Sequence, residues 1–512
     1  MQDRRAAALG GAIAALVAGA PFFLCTTFIG DDHLFLTFAR HVGDPLLPFV
    51  RDLHGGEYYR PLWMLLWWPL GRAASVPLFA LAALALHAGA ALLLAALLRA
   101  LGRPPAVARA AALLMFLAPQ NLSAALWFSA TTDLLATVLC LAALLALVRG
   151  RRVAAAVAAL AAFLAKESAF ILPLLAALVL WVQSGTEDGT EHRTRDGTCP
   201  RPGRRKLWTE VAPQLALLAP VLLVRRAVLH GWGGSGDARA GLWGSLLQIY
   251  GGLAQTFTGG DVLPTPLAFA LGTTILALTT FALARRGRGG PRWAPLLFAA
   301  VAAAPLFAAG WAVGARYFYL PAVGLCWAVA EAAAGIGPAG RITLGATLLL
   351  VGAAQAVERR QDVLSYERRV AAARRAVAAG LRAGHHVFHV DGGIKDLDLV
   401  VKEEPALEAG QVLVLTDVPA SFVIVPAPLS RAAAALVAAP PIPPSGAYAF
   451  GDVRVVGFAR RGDEPDLDEA LARFPDLRFI RLRSIRGGQV IARDLTDEIT
   501  RRLDGASPEG QD

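Results

Sequence analysis

The sequence predicts an all-α polytopic membrane domain over residues 1–357 and a small soluble α/β or α+β domain over 358–512. Three observations carry that reading. The chain of 512 residues is 56% hydrophobic and only 17% charged, with a mean hydropathy of +0.51. A water-soluble chain would have to bury nearly all of that apolar surface, and a disordered one would not carry it. Charge is also divided along the chain. Residues 1–357 hold 28 Lys and Arg against 16 Asp and Glu, whereas 358–512 hold 21 against 23. In the first part the basic residues fall in short loops between apolar runs, a signature of membrane topology that argues against a nucleic-acid partner. In the tail, short alternating or apolar runs are separated by turn residues.

A helix needs about 20 apolar residues to cross a bilayer. Crossings are expected near 6–29, 74–98, 104–118, 123–148, 153–165, 168–183, 210–229, 263–284, 293–313, 317–336 and 341–357, eleven in all. The first run, after Met1–Arg5, is read as a retained helix: it exceeds twenty residues and many hydrophobic runs follow it. The pieces 104–118, 153–165 and 168–183 are short enough to be tilted, partial or merged with neighbours. Counting Lys and Arg in short loops sets the N-terminus in the cytoplasm. Arg99, Arg103 and Arg109, then Arg149, Arg151 and Arg152, then Arg193 to Lys206, and Arg285 to Arg292 then lie inside. An odd number of crossings places 358–512 outside the cytoplasm of a cell inner or plasma membrane. The loop 184–209 is polar and reads as disordered. The apolar stretch 242–258 reads as lying in the interface. The tail opens with an Arg-rich helix, 358–383, followed by strands near His385–Val390, Gln411–Thr416, Phe422–Val425, Val453–Phe458 and Leu477–Ser484. Cys25, Cys140, Cys199 and Cys326 form neither a disulfide framework nor a zinc spacing.

Ionisable residues at membrane depth are costly and mark function by default. Asp31 and Asp32 are adjacent carboxylates just after the first crossing. Their repulsion raises one pKa and suits a general base, while the plainer reading is an N-cap for the helix His33–His41; both can hold at once. Tyr58-Tyr59-Arg60-Pro61-Leu62 leads into Trp63, Trp67 and Trp68, which read as an interfacial aromatic belt. Arg60 there holds a phosphate or snorkels to the headgroups. Asp133 is expected inside the fourth crossing, roughly three turns from its outer end. On insertion scales it costs about 2.5–3.5 kcal/mol, so it faces a cavity or bonds a neighbour such as Thr131 or Thr132. Lys166-Glu167 cap a hairpin, as an ion pair or with the lysine as a phosphate ligand. Arg316-Tyr317-Phe318-Tyr319 place a cation and two phenols at the start of the tenth crossing, and Arg225-Arg226 add cations near the end of the seventh. All of these fall on one predicted face of the membrane.

At these residues the chain resembles the GT-C superfamily of polytopic glycosyltransferases. The likeness is to protein O-mannosyltransferase-like enzymes, transmembrane mannosyltransferases that carry tetratricopeptide repeats, and aminoarabinose-transferase-like enzymes. The matching pieces are the Asp31-Asp32 pair, YYRPL at 58–62, the Asp133 helix, AKES at 165–168 and RYFYLPAVG at 316–324. The resemblance implies a polyprenyl-phosphate sugar donor, an inverting transfer, and neither cofactor nor metal. It makes Asp31, Asp32 and Asp133 catalytic, with one acid of the pair, Asp32 being favoured, as the base. It makes Tyr59, Arg60, Lys166, Glu167, Arg316 and Tyr319 substrate-binding. Implied partners are the lipid-linked donor, membrane lipids and a protein, glycan or lipid acceptor. No tetratricopeptide array follows the membrane region, and the tail differs from a β-trefoil, so the acceptor stays open. Two other classes remain at this stage: a transporter or flippase for lipid-linked sugars, which predicts pseudo-symmetric halves, and a non-catalytic membrane scaffold.

Overall fold

The computed structural model describes residues 19–29, 32, 35–36, 39, 42–51, 58–191, 204–231, 242–258, 265–285, 292–308 and 315–382, and seven strands in the tail. The chain is helical from 19 to 24; the rest of the expected first crossing, like Asp31 and His33, lies mainly outside the described residues. Six described helical stretches are long and apolar enough to cross a membrane: Val76–Ala100, Phe128–Val148, Glu167–Ser184, Thr209–Val228, Pro266–Arg285 and Arg316–Ala334. Three shorter apolar helices, Pro105–Leu117, Arg152–Ala165 and Ala294–Phe307, coincide with other expected crossings.

Helix α1 (Pro61–Ala73) begins with a proline, whose fixed φ suits the first turn, and stops at Ala74 with φ 44°. Its aromatic residues differ from expectation. Trp63 and Trp67, one turn apart on the same face, are buried. Both indole N–H groups donate to Thr131 Oγ1, at 2.9 and 3.1 Å. They are core residues joined to a distant segment, since a hydroxyl within the bundle satisfies them as an interface would. Trp68 Nε1 donates to the Val42 carbonyl.

Helices α2 (Val76–Ala100) and α3 (Pro105–Leu117) form a hairpin around Gly102, whose φ of +73° is the left-handed conformation that glycine allows. The expected crossing 123–148 is divided into α4 (Pro119–Ala125), a 3-10 turn Phe128–Ala130 and α5 (Thr131–Val148). Thr131 Oγ1 donates to Phe128 O at 2.6 Å and fixes that turn. Asp133 therefore sits in the first turn of α5, not three turns inside a longer helix. A second tight turn at Gly150 (φ +70°) leads into α6 (Arg152–Ala165).

The 3-10 turn Glu167–Ile171 leads into α7 (Leu172–Glu191), and α8 (Arg204–Val228) follows. Residues 192–203 of the expected disordered loop lie outside the described residues. Next come α9 (Leu242–Gln255), α10 (Thr265–Arg285) and α11 (Ala294–Ala303). A 3-10 turn, Ala315–Phe318, starts α12 (Tyr319–Ala334). Gly324 lets α12 approach α11: a Cβ there would lie 2.5 Å from the Ala299 amide. Helix α13 (Pro338–Arg382) has 45 residues and absorbs both the expected crossing 341–357 and the Arg-rich stretch after it. At 1.5 Å per residue it is about 68 Å long, more than twice a hydrocarbon core. Residue 357 thus lies inside a helix.

The tail strands are β1 (Val387–Asp391), β2 (Leu413–Thr416), β3 (Phe422–Val425), β4 (Gly446–Phe450), β5 (Val453–Gly457), β6 (Phe479–Ile485) and β7 (Gln489–Asp494). One sheet has the order β2-β1-β6-β7, with β1 parallel to both neighbours and β6 antiparallel to β7. The other is antiparallel, β3-β5-β4. Strands β4 and β7 were not expected; a Gly/Ala-rich run and a run ending in charge lack the apolar alternation that reveals the other five.

Candidate active site

The two turns before α5 and α7 bring the scarce charges together. Asp133 Oδ1 accepts from Lys166 Nζ at 2.5 Å, with both residues buried. Thr132 Oγ1 donates to the Ala165 carbonyl at 3.1 Å, tying the start of α5 to the end of α6. Asp133 Oδ2 has no hydrogen-bond partner among the described residues. Lys166 does not pair with its neighbour Glu167, because the extended backbone at 166 (φ −163°, ψ 148°) sends successive side chains to opposite sides. Glu167 instead joins two cations: Arg60 Nε donates to Oε2 at 2.9 Å and Arg225 Nη1 to Oε1 at 2.7 Å. Arg225, expected as a cation near the end of the seventh crossing, is buried.

A second layer is cationic and aromatic. The Lys166 ammonium lies 4.6 Å from the centre of the Tyr317 ring. Arg316 lies 4.2 Å over Trp127 and 5.0 Å over Tyr317, and donates to the Tyr317 hydroxyl at 3.2 Å. Arg60 lies 4.4 Å over Tyr58. These contacts use the quadrupole of each ring to hold a cation in low dielectric. Burial pushes the Lys166 ammonium down to about 8, helped by Arg60 and Arg316 and opposed by Asp133. Four cations and two acids, from five separated stretches, thus form one network.

Asp32 adjoins it through the turn before α5. It is fully buried. Its Oδ1 accepts the Ser129 amide at 2.6 Å and the Ser129 hydroxyl, and Oδ2 accepts the Ile29 amide at 3.0 Å. Such a carboxylate, with both oxygens engaged, holds the loop after the first expected crossing against the turn that positions Asp133. Two other expected residues do not join the network. Tyr59 is buried and donates to the Phe49 carbonyl at 3.1 Å. Tyr319 points into the bundle, 2.6 Å from His87 Nδ1, while His87 Nε2 lies 3.0 Å from the Phe116 carbonyl. That second contact requires a proton on Nε2, so the Tyr319 hydroxyl donates to Nδ1. Tyr317 takes the place expected for Tyr319. Trp127 and Ser129 were missed; neither is titratable, and no charge pattern marks them. Among the described residues no three His, Cys, Asp or Glu side chains converge on a metal position.

No family model matches the chain, and no curated protein does. Among solved structures, ArnT from Cupriavidus metallidurans in the apo state superposes with a TM-score of 0.51 at 15% identity, over 89% of this chain and 98% of that one. The chain has the fold of ArnT. The same enzyme bound to undecaprenyl phosphate gives a TM-score of 0.49 at 14% identity, over 88% and 97% of the two chains. The ArnT fold bears out the resemblance to GT-C membrane glycosyltransferases at the level of the fold.

Proposed function

We propose that this chain is a membrane glycosyltransferase that moves a sugar from a polyprenyl-phosphate donor to an acceptor outside the cytoplasm, with inversion and without a metal or cofactor. One observation carries the reading: Arg60, Lys166, Arg225 and Arg316 gather around Asp133 and Glu167 at one end of an ArnT-like bundle. A surplus of buried and half-buried cations at one end of the bundle suits a lipid phosphate whose negative charge grows as it leaves. Arg60 and Arg316 offer planar guanidinium forks for its oxygens and Lys166 a point charge.

In this reading the acceptor hydroxyl attacks the anomeric carbon as the bond from that carbon to the phosphate oxygen breaks. The electron pair leaves with the polyprenyl phosphate, and the acceptor proton passes to a carboxylate. Asp32, with both oxygens held by N–H and O–H donors, serves the pair as its anchor, and Asp31 is the base. Asp133 positions Lys166. The N-terminus is cytoplasmic, and the tail is a soluble extracytoplasmic domain of the cell envelope. Protein, glycan and lipid acceptors all fit the chemistry, as do mannose-like and aminoarabinose-like donors.

Undecaprenyl phosphate added to the purified protein in detergent should raise its unfolding temperature, and Arg60→Ala with Arg316→Ala should remove the rise. Radiolabelled sugar transfer in vesicles should vanish in Asp31→Asn and persist, weakened, in Asp32→Asn. Full transfer by Asp31→Asn would refute the assignment of the base, and no response to undecaprenyl phosphate would refute the donor class.

A further inference from the structure

The opposite end of the bundle carries a feature that the transferase reading does not use. Leu139 of α5 and Val153, Ala154, Val157, Ala158 and Ala161 of α6 line an apolar trough of about 720 Å³. Its walls are open: Val153 is 79% and Val157 64% exposed. The small alanines of α6 hollow the surface between the two helices. At the mouth stand Arg151 and Arg152. The guanidinium of Arg152 makes a two-nitrogen contact with Glu210 on α8, which fixes one rim. Arg151, and Arg149 across the left-handed Gly150, have no ion pair among the described residues. The N-cap of α6, Arg151, gives its first turn no side-chain acceptor, so that helix end adds a favourable partial charge to the same mouth.

We propose that this trough is a binding site for one anionic phospholipid. A chain lies along Ala154, Val157 and Ala161, and the headgroup phosphate meets Arg149 and Arg151. The argument is one of charge complementarity joined to shape. An arginine loop alone attracts anionic lipid diffusely. An apolar trough alone accepts any acyl chain. Placed end to end, they select a lipid by both parts. The site is separate from the charged network around Lys166, so it stands or falls independently of the transferase reading.

The full-length protein should be reconstituted in vesicles of phosphatidylglycerol and phosphatidylcholine with identical chains, then released and weighed by native mass spectrometry. Wild type should retain one phosphatidylglycerol in preference to phosphatidylcholine. Each arginine near an anionic headgroup contributes about 1 kcal/mol, so Arg149→Gln with Arg151→Gln should lower that preference about thirtyfold. Ala154→Phe, at an exposed position that fills the trough, should lower retention of both lipids. Equal retention of the two lipids by wild type, an undiminished preference in the arginine variant, or undiminished retention in Ala154→Phe would each overturn the proposal. Both sets of positions are exposed, so a monodisperse elution profile identical to wild type is expected for every variant.

Discussion

At one end of the bundle Lys166 is 3% and Arg225 6% exposed, and each faces a carboxylate from another segment. At the other end the Arg152 side chain is 70% exposed and reaches a Glu210 side chain that is 11% exposed, so water screens the pair from the arginine's side. The two ends hold similar numbers of cations, yet they obey different physics. Exposed arginines such as Arg149, Arg151 and Arg152 keep their hydration and cost little to place. A buried ammonium or guanidinium must recover its desolvation from partners, and Asp133, Glu167, Tyr317 and Trp127 supply them. Charge that is expensive to keep is the better marker of chemistry.

Removing one member of the buried pair separates the two ends most strongly. Lys166→Met leaves the Asp133 carboxylate buried without its cation, and about 3–5 kcal/mol of stability should be lost, read by thermal or denaturant unfolding in detergent. The double variant Asp133→Leu with Lys166→Met replaces both charges with apolar side chains of similar size. It should recover most of the loss while remaining inactive in sugar transfer. If the double variant is as unstable as the single, the pair is not what links α5 to the turn after α6.

Glu167→Gln tests the next layer. The amide keeps the shape but leaves Arg60 and Arg225 facing each other without a compensating charge. Because the Glu167 side chain is 23% exposed, the penalty is smaller than for the Lys166 pair, about 2 kcal/mol. Unfolding midpoints should fall accordingly, and the affinity for undecaprenyl phosphate should fall with them as the two guanidinia separate.

Much of this network was legible in the sequence, because ionisable residues are scarce in and beside apolar runs and each one stands out. Asp133, Lys166, Glu167, Arg60 and Arg316 were all found that way. Their pairing was not. Lys166-Glu167 look like a local ion pair, and only the extended backbone at 166 sends them to different partners. Trp63 and Trp67 read as an interfacial belt because a one-turn spacing of tryptophans is the same whether the face meets headgroups or a buried hydroxyl; Thr131, 64 residues from Trp67, decides it. Tyr317 and Tyr319 look equivalent by type. The 3-10 turn Ala315–Phe318 ends between them, so one faces the cations and the other His87. The interruption of the fourth crossing follows from the end of α4 at Ala125 and the Phe128–Ala130 turn, which hydropathy averaging does not resolve.

The pH dependence separates the two ends without any substitution. Lys166 is held down to about 8 by burial, with Arg60 and Arg316 adding to the effect. It is a cation below that value and loses its charge as pH rises through it. As the ammonium is lost, affinity for undecaprenyl phosphate should fall between pH 7 and 9. Arginines such as Arg60 keep their charge over this range. Titration of affinity by fluorescence or calorimetry should therefore show one midpoint near 8, absent in Lys166→Met.

The smallest effect belongs to the exposed end. Arg152→Gln removes a bidentate contact that looks stronger, by geometry, than any in the buried network. Its setting argues the opposite. The arginine is 70% exposed and salt reaches the pair from its side, although Glu210 is only 11% exposed, and two long side chains are fixed to make it. The unfolding midpoint in detergent should stay where it is, at low and at high salt alike. Sugar transfer and undecaprenyl phosphate affinity should also be unaltered, since Arg152 starts α6 and Lys166 follows its far end. A loss of stability comparable with that of Glu167→Gln would mean that α6 and α8 depend on the Glu210 contact for their packing, and the contrast between the two ends would then rest on depth alone.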